Sequence, residues 1–276
     1  LTGDAANIGQ TSQKTSGLAV KEINDAGGVN GRPLELIYED GKCNGKDASS
    51  AASKLVNIDK VSVILGGACS SETSAVAAVA EPAKVAVLSY CSSAPAITQA
   101  GDYIFRAYPS DSFQGVYAAE YAYNTLGKKK VAVLYVNSDW GLGIKDVFST
   151  KFKELGGTVV LEEGYDQTSR DLRTPLTKVK ASKPDVLYFI GYTEASIPGI
   201  KQFADLKLNI PVLGGDAGED SKIWEGVGTA GEGMMYVVPA PATPDFQTKF
   251  TQATGQAELT VCSPQAYDVV KIIADV

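Results

Sequence analysis

Two hydroxyl-rich stretches, Cys69-Ser70-Ser71 and Tyr90-Cys91-Ser92-Ser93, each follow a short apolar run, and the first leads into an alanine-rich helical pattern. Val61 to Leu65 suits a strand buried on both faces, Gly66-Gly67 ends it, and the helical pattern then runs to Glu81. A helix starting there presents amide N–H groups with no intrahelical partner, at the positive end of its dipole. An anion such as a carboxylate docks at such a point. The same residues also make an ordinary cap, Ser70 or Ser71 with Glu72 in the first turn, so the stretch alone leaves both readings open. Three aromatics, Tyr90, Trp140 and Tyr192, and one acid, Asp216, fall directly after other expected strands. Taken singly, such an aromatic is more often core or surface, and such an acid is as well a helix cap or a solvated charge. Together they suit a zwitterion, with its carboxylate on the serines and its ammonium on Asp216.

Other chemistry is poorly provided for. The 276 residues include no His, which removes the commonest general base and the commonest metal ligand. No G-x-S-x-G occurs. Gly41 and Gly45-Lys46 make a broken phosphate loop, with Asp47 where Ser or Thr belongs, and Gly141-x-Gly143 lacks a third glycine. Asp216, Glu219 and Asp220 do not follow the calcium-loop spacing. An enzyme is therefore not expected, and neither is a metal or cofactor. The net charge of −7 argues against a nucleic-acid partner. No apolar run reaches the roughly 20 residues of a membrane span, and no leading segment has the shape of a secretory signal, so a mature or trimmed chain is expected. The four cysteines allow three pairings, none of which follows from sequence. Two disulfides in an oxidising compartment and four reduced core thiols both remain open.

The elements that must position these residues alternate. Helical patterns cover about 10–25 and 46–58, and Pro33 to Glu39 alternates as a strand between them. The stretch from Val61 follows, its helix stopped by Pro82, then a strand at Val85 to Ser89. After a pause near Tyr108-Pro109 a second series begins. Helices are expected at Phe113–Leu126, Leu142–Leu155, Asp171–Ala181 and Glu194–Leu206, and strands at Lys130–Val136, Thr158–Glu163, Asp185–Ile190, Pro211–Leu213 and Gly233–Val238. In this reading Trp140 lies in a loop. Pro239 to Pro244 reads as a second linker, with helices near 245–254 and 264–275 beyond it. Such alternation implies an α/β fold with mostly parallel sheets, whose ligands sit outside the C-terminal strand ends. Two crossings suggest a hinged pair of lobes with a cleft, the first of residues 1–109 and 241–276, the second of residues 110–240.

The whole chain resembles the type I periplasmic binding proteins, and among them the Leu/Ile/Val-binding receptors of ABC importers. The resemblance rests on Leu1-Thr2-Gly3, Ile23-Asn24-Asp25-Ala26-Gly27-Gly28-Val29-Asn30-Gly31, Leu65-Gly66-Gly67-Ala68-Cys69-Ser70-Ser71-Glu72-Thr73 and Phe105-Arg106. Trp140-Gly141, Gly191-Tyr192, Glu232-Gly233-Met234 and Ala266-Tyr267-Asp268 add to it. It implies two Rossmann-like lobes joined by a hinge. It also implies an extracytoplasmic solute-binding protein, periplasmic or extracellular, with tethering to a lipid or membrane as an open alternative. That protein is expected to act as a monomer and to hand a small amino acid to a membrane permease. A ligand-sensing receptor ectodomain is the alternative, as is a binder of an amide, a GABA-like acid or an aromatic acid.

By that resemblance Ser70 holds the α-carboxylate with its hydroxyl and N–H, Cys91 offers a backbone carbonyl to the amino group, and Ser93 replaces a Thr at the ligand head group. Asp216 binds the ammonium, Tyr192 closes over the ligand, and Trp140 replaces a Tyr. Ile8 and Ala68 stand where relatives carry Tyr and Leu, which reshapes the side-chain pocket. The resemblance further implies a Cys43–Cys69 disulfide, whose loop contributes roughly 3.5 kcal/mol in the chain-entropy model. Cys91 and Cys262 are then the second expected pair. Relatives carry a strand before the position of Leu1 and further elements after that of Val276, and a first lobe without that strand is expected to be poorly stable.

Overall fold

The computed structural model describes residues 1–276. The chain divides into two compact units, Leu1–Tyr108 with Ala240–Val276, and Pro109–Pro239. Both are α/β, and every ladder in their sheets is parallel.

The first unit begins with helices α1 (Ala6–Asp25) and α2 (Gly45–Lys54), then strand β1 (Val63–Leu65), helix α3 (Ser70–Ala83), strand β2 (Ala86–Ser89) and strand β3 (Ile104–Arg106). The strands pair in the order β1-β2-β3. Ile64, Val87 and Ile104 pack on Ala48 and Ala52 of α2 and on Val76, Ala77 and Ala80 of α3. The small helix residues let the helices lie close on strands of three or four residues. Three expectations need correction here. Residues 33–40 form no strand, because no neighbour supplies a ladder; the Asn24 side chain alone bonds both backbone groups of Leu34, at 2.7 and 2.9 Å. A groove of about 430 Å³, lined by Leu34, Leu36, Tyr38, Val63 and Leu65, borders this segment. β3 is a strand the sequence reading passed over, since three residues carry almost no periodicity. Pro82 does not stop α3: it lies in the last turn, where its missing N–H costs one bond, and Lys84 ends the helix in the left-handed region at φ 56°.

The second unit runs α4 (Asp111–Glu120), β4 (Lys130–Val136), α5 (Asp139–Glu154), β5 (Thr158–Tyr165), α6 (Arg173–Ser182), β6 (Val186–Ile190), α7 (Thr193–Asp205), β7 (Val212–Gly214), α8 (Ser221–Val227) and β8 (Met235–Tyr236). Its sheet order is β5-β4-β6-β7-β8. β6 is buried at every residue, as a continuous apolar strand between two neighbours must be. Phe148 stacks on Phe152 and on Tyr188 with ring centroids 5.6 and 4.2 Å apart, which fills the space between α5 and the sheet. The strand expected over residues 233–238 shrinks to the two residues of β8. Trp140, read as a loop residue, belongs to the first turn of α5, because Ser138 caps that helix by accepting from Gly141 N.

The last two helices, α9 (Pro244–Thr254) and α10 (Ser263–Asp275), belong to the first unit. α10 lies along α1, burying Ala19 against Tyr267 and Val270, and the buried Thr15 hydroxyl donates to Ser263 O at 2.7 Å. Glu22 of α1 accepts from Lys249 and Lys271 at 3.1 Å each and from the Tyr267 hydroxyl. Burial opposes charge on Glu22, yet these donors hold its carboxyl down at about 2. Both expected disulfides are present, Cys43–Cys69 and Cys91–Cys262. No helix is long and apolar enough to cross a membrane.

Candidate ligand-binding site

In the first unit the site loops follow β1 and β2, at the C-terminal ends of adjacent parallel strands. Three residues in the first turn of α3 hold this region together. The Ser70 hydroxyl accepts from Ala94 N at 3.1 Å, which leaves its own proton uncommitted by that bond. Thr73 Oγ1 accepts from Gly67 N at 2.9 Å and pairs with Ser92 Oγ at 2.6 Å. Glu72 accepts from Cys43 N and Cys69 N, each at 2.9 Å. The second loop is tied in its turn: Ser89 Oγ accepts from Ser92 N at 2.9 Å, and Arg106 of β3 donates to the carbonyls of Ser93 and Ala94 at 3.2 and 2.8 Å. Ser70 and Ser93 are buried, and Cys91 is half-buried and bonded to Cys262. Ser71 is the second residue of α3 and half-buried. The outcome is a closely hydrogen-bonded cluster of hydroxyls at the start of α3.

Tyr90 is buried beside this cluster. Burial and then the nearby Glu72 push its phenol above the ordinary tyrosine range. Ile8 is buried in α1, and Ala68 is half-buried just ahead of α3. Both are apolar, and Ala68 lines the groove beside residues 34–39.

In the second unit, Trp140, Tyr192 and Asp216 follow β4, β6 and β7, again at C-terminal strand ends. The structure brings them together. The rings of Trp140 and Tyr192 lie 4.8 Å apart at a tilt of 32°. Gly215 backs onto Trp140: a Cβ there would sit 3.3 Å from the indole Cζ2, close enough that the ring would have to give by a few tenths of an ångström. Asp216 opens a single 3₁₀ turn, Asp216–Glu219, is 5% exposed, and accepts from Ala217 N at 3.0 Å. With its amide turned to satisfy its neighbours, Gln114 of α4 accepts from Asp216 N at 2.9 Å and donates to Asp111 Oδ1 at 3.2 Å.

Negative charge accumulates here. Burial, then Asp216, raises the Glu219 carboxyl. Burial, then Asp111 and Asp216, lifts the phenol of Tyr188 well above its ordinary value. Within this unit the buried acid lies on the same loop that packs against one of two adjoining aromatic rings. Sequence reasoning missed Asp111 and Gln114 because they lie about 100 residues before Asp216 and on a helix, away from any strand end. Glu72 was visible in sequence, but only as a helix cap.

Comparison with known proteins agrees with this picture. A family model described as "periplasmic binding protein" matches residues 1–276. An amino acid binding protein of Pseudomonas aeruginosa is 31% identical over 237 residues, covering 86% of this chain and 62% of its own length. The chain thus spans less than two thirds of that relative. Among solved structures, a leucine-binding protein from Thermotoga maritima superposes with a TM-score of 0.92 at 26% identity, over 99% of this chain and 79% of that one. A branched-chain amino acid transporter substrate-binding protein from Streptococcus pneumoniae, in complex with isoleucine, gives 0.89 at 28% identity over 99% and 80%.

Proposed function

Because the chain belongs to the periplasmic binding protein family, we propose that it captures a small amino acid, branched-chain or similar, for an ABC importer. The observation that carries this is the contrasting chemistry of two sets of strand-end residues, each taken within its own unit. The first offers the Ser70 hydroxyl and the helix-start amides of α3, with Ser71 beside them and the Ser93 and Cys91 loop adjacent. The second offers the buried Asp216 beside Trp140 and Tyr192. A zwitterion matches both ends, its carboxylate on the first and its ammonium on the second. A plain aromatic acid brings no cation to the acidic cluster around Asp216 and Glu219, so an amino acid is the better match. Relatives named for branched-chain substrates support the ligand class. The family's description supports a location outside the cytoplasm, where both disulfides persist.

Binding energy comes from charge-assisted hydrogen bonds to both ends of the ligand. A conformation that engages both ends is favoured by ligand over one that engages a single end, and that conformation is the one a permease would read. The protein is expected to act as a monomer and without turnover of its ligand. Calorimetric titration with a panel of amino acids tests the reading. Asp216→Ala is expected to weaken binding by more than ~10-fold, since truncating a charged partner costs roughly 1.5–3 kcal/mol. Unchanged affinity in that variant refutes the assignment.

A further inference from the structure

Glu72 lies in the first turn of α3 and is 7% exposed. Its two oxygens serve two separate stretches of chain. Oε1 accepts from Cys43 N and Oε2 from Cys69 N, each at 2.9 Å. These are the two residues that the first disulfide joins. The seat is shaped for a carboxylate: a Cβ on Gly41 would fall 2.4 Å from Oε1, and one on Gly67 would fall 2.6 Å from the Glu72 Cβ. Only glycine at both positions lets the side chain in. A disulfide fixes where two sulfurs sit, but it leaves the peptide planes beside them free to tilt. Glu72 removes that freedom at the Ala68–Cys69 peptide, one residue ahead of Ser70. The disulfide sulfur at Cys69 is a poor acceptor, so the cap of α3 is made chiefly by Glu72 reaching back to the Cys69 amide.

We propose that Glu72 is a positioning residue for ligand. Acting through the Cys69 amide, it aims the Ser70 hydroxyl and the first amides of α3 at the ligand carboxylate. This rests on the reading of Ser70 as the carboxylate site. A carboxylate is suited to the task because it accepts at both oxygens, whereas a glutamine accepts at one and confronts the other N–H with its own donor. The Cys43–Cys69 bridge stays in place in either case and holds the loop folded.

The test compares the affinity for an amino acid with that for its carboxamide, which keeps the ammonium but lacks the negative end. In the unsubstituted protein the acid binds tighter. In Glu72→Gln the acid is expected to weaken by about tenfold while the carboxamide changes little, so the preference shrinks. Glu72→Asp, too short to span both amides, is expected to shift the ratio in the same direction. Equal weakening of both ligands, or an unchanged ratio, overturns the proposal. Amide exchange on the unsubstituted protein gives a measurement that needs no variant: the Cys69 and Cys43 amides should exchange slowly, and fast exchange at Cys69 overturns the proposal as well. An unsubstituted protein that binds no amino acid overturns instead the reading of the site, and the inference with it.

Discussion

The two units solve one problem by different means. In the second, five strands of up to eight residues cover an aromatic core of Phe148, Phe152 and Tyr188, and no disulfide is needed. In the first, three strands of three or four residues leave a groove of about 430 Å³ beside an extended segment without a ladder, and two disulfides cross-link what the sheet does not. The site loops follow the same division. Trp140, Tyr192 and Asp216 are placed by packed strand ends and one amide, Gln114. The loops carrying Ser70 and Ser93 are placed by disulfides and by buried polar clamps. Where apolar area is scarce, covalent and charge-assisted bonds hold the backbone instead.

Breaking the covalent half of this contrast should have the largest effect. Replacing Cys91 and Cys262 together with serine opens a loop of 171 residues, worth up to about 5 kcal/mol in the chain-entropy model. Hydrogen exchange should then show the first unit losing protection while the amides of β4 and β6 keep theirs. Equal loss in both units would mean that the cross-link supports the whole chain rather than one unit. The complementary change, Phe148→Ala, is expected to cost ~3–5 kcal/mol, read as loss of protection confined to the second unit.

A smaller effect separates charge from covalent support in the first unit. The Glu22 carboxyl is held at about 2 against an ordinary 4.5. A depressed folded value contributes stability that is complete above about pH 4.5 and lost as the pH falls toward 2. Because the side chain is partly exposed, solvent screening reduces this to ~1 kcal/mol. Glu22→Gln should lower the unfolding free energy from denaturant titration at pH 7 by that amount and flatten its pH dependence between pH 4.5 and 2. An equally steep acid limb in the variant would assign the acid sensitivity to other groups.

Long, continuous apolar runs were legible in the sequence. Lys130–Val136 reads as β4 to the residue, because seven consecutive strand positions outweigh any local noise. Ile104–Arg106 was not legible, since its pairing with β2 and not its own pattern makes it a strand. Residues 33–40 show the converse: their alternation is real, but a ladder requires a partner, and no residue of the segment itself encodes one. The site divides likewise. Ser70, Trp140, Tyr192 and Asp216 stood out because parallel sheets place ligands after strand ends. The bonds of Glu72 to Cys43, of Arg106 to Ser93 and Ala94, and of Gln114 to Asp216 did not, because each reaches backbone well beyond its own turn.

By itself, then, the order of residues determined the α/β alternation, the strand-end positions of the candidate ligand groups, and the absence of any histidine-based chemistry. These are properties of local pattern and composition. Only the tertiary structure decided which cysteines join, which acid reaches two amides at once, and which strands find partners. Those depend on groups up to 171 residues apart meeting within a few ångströms, and spacing along a chain does not set distance in space.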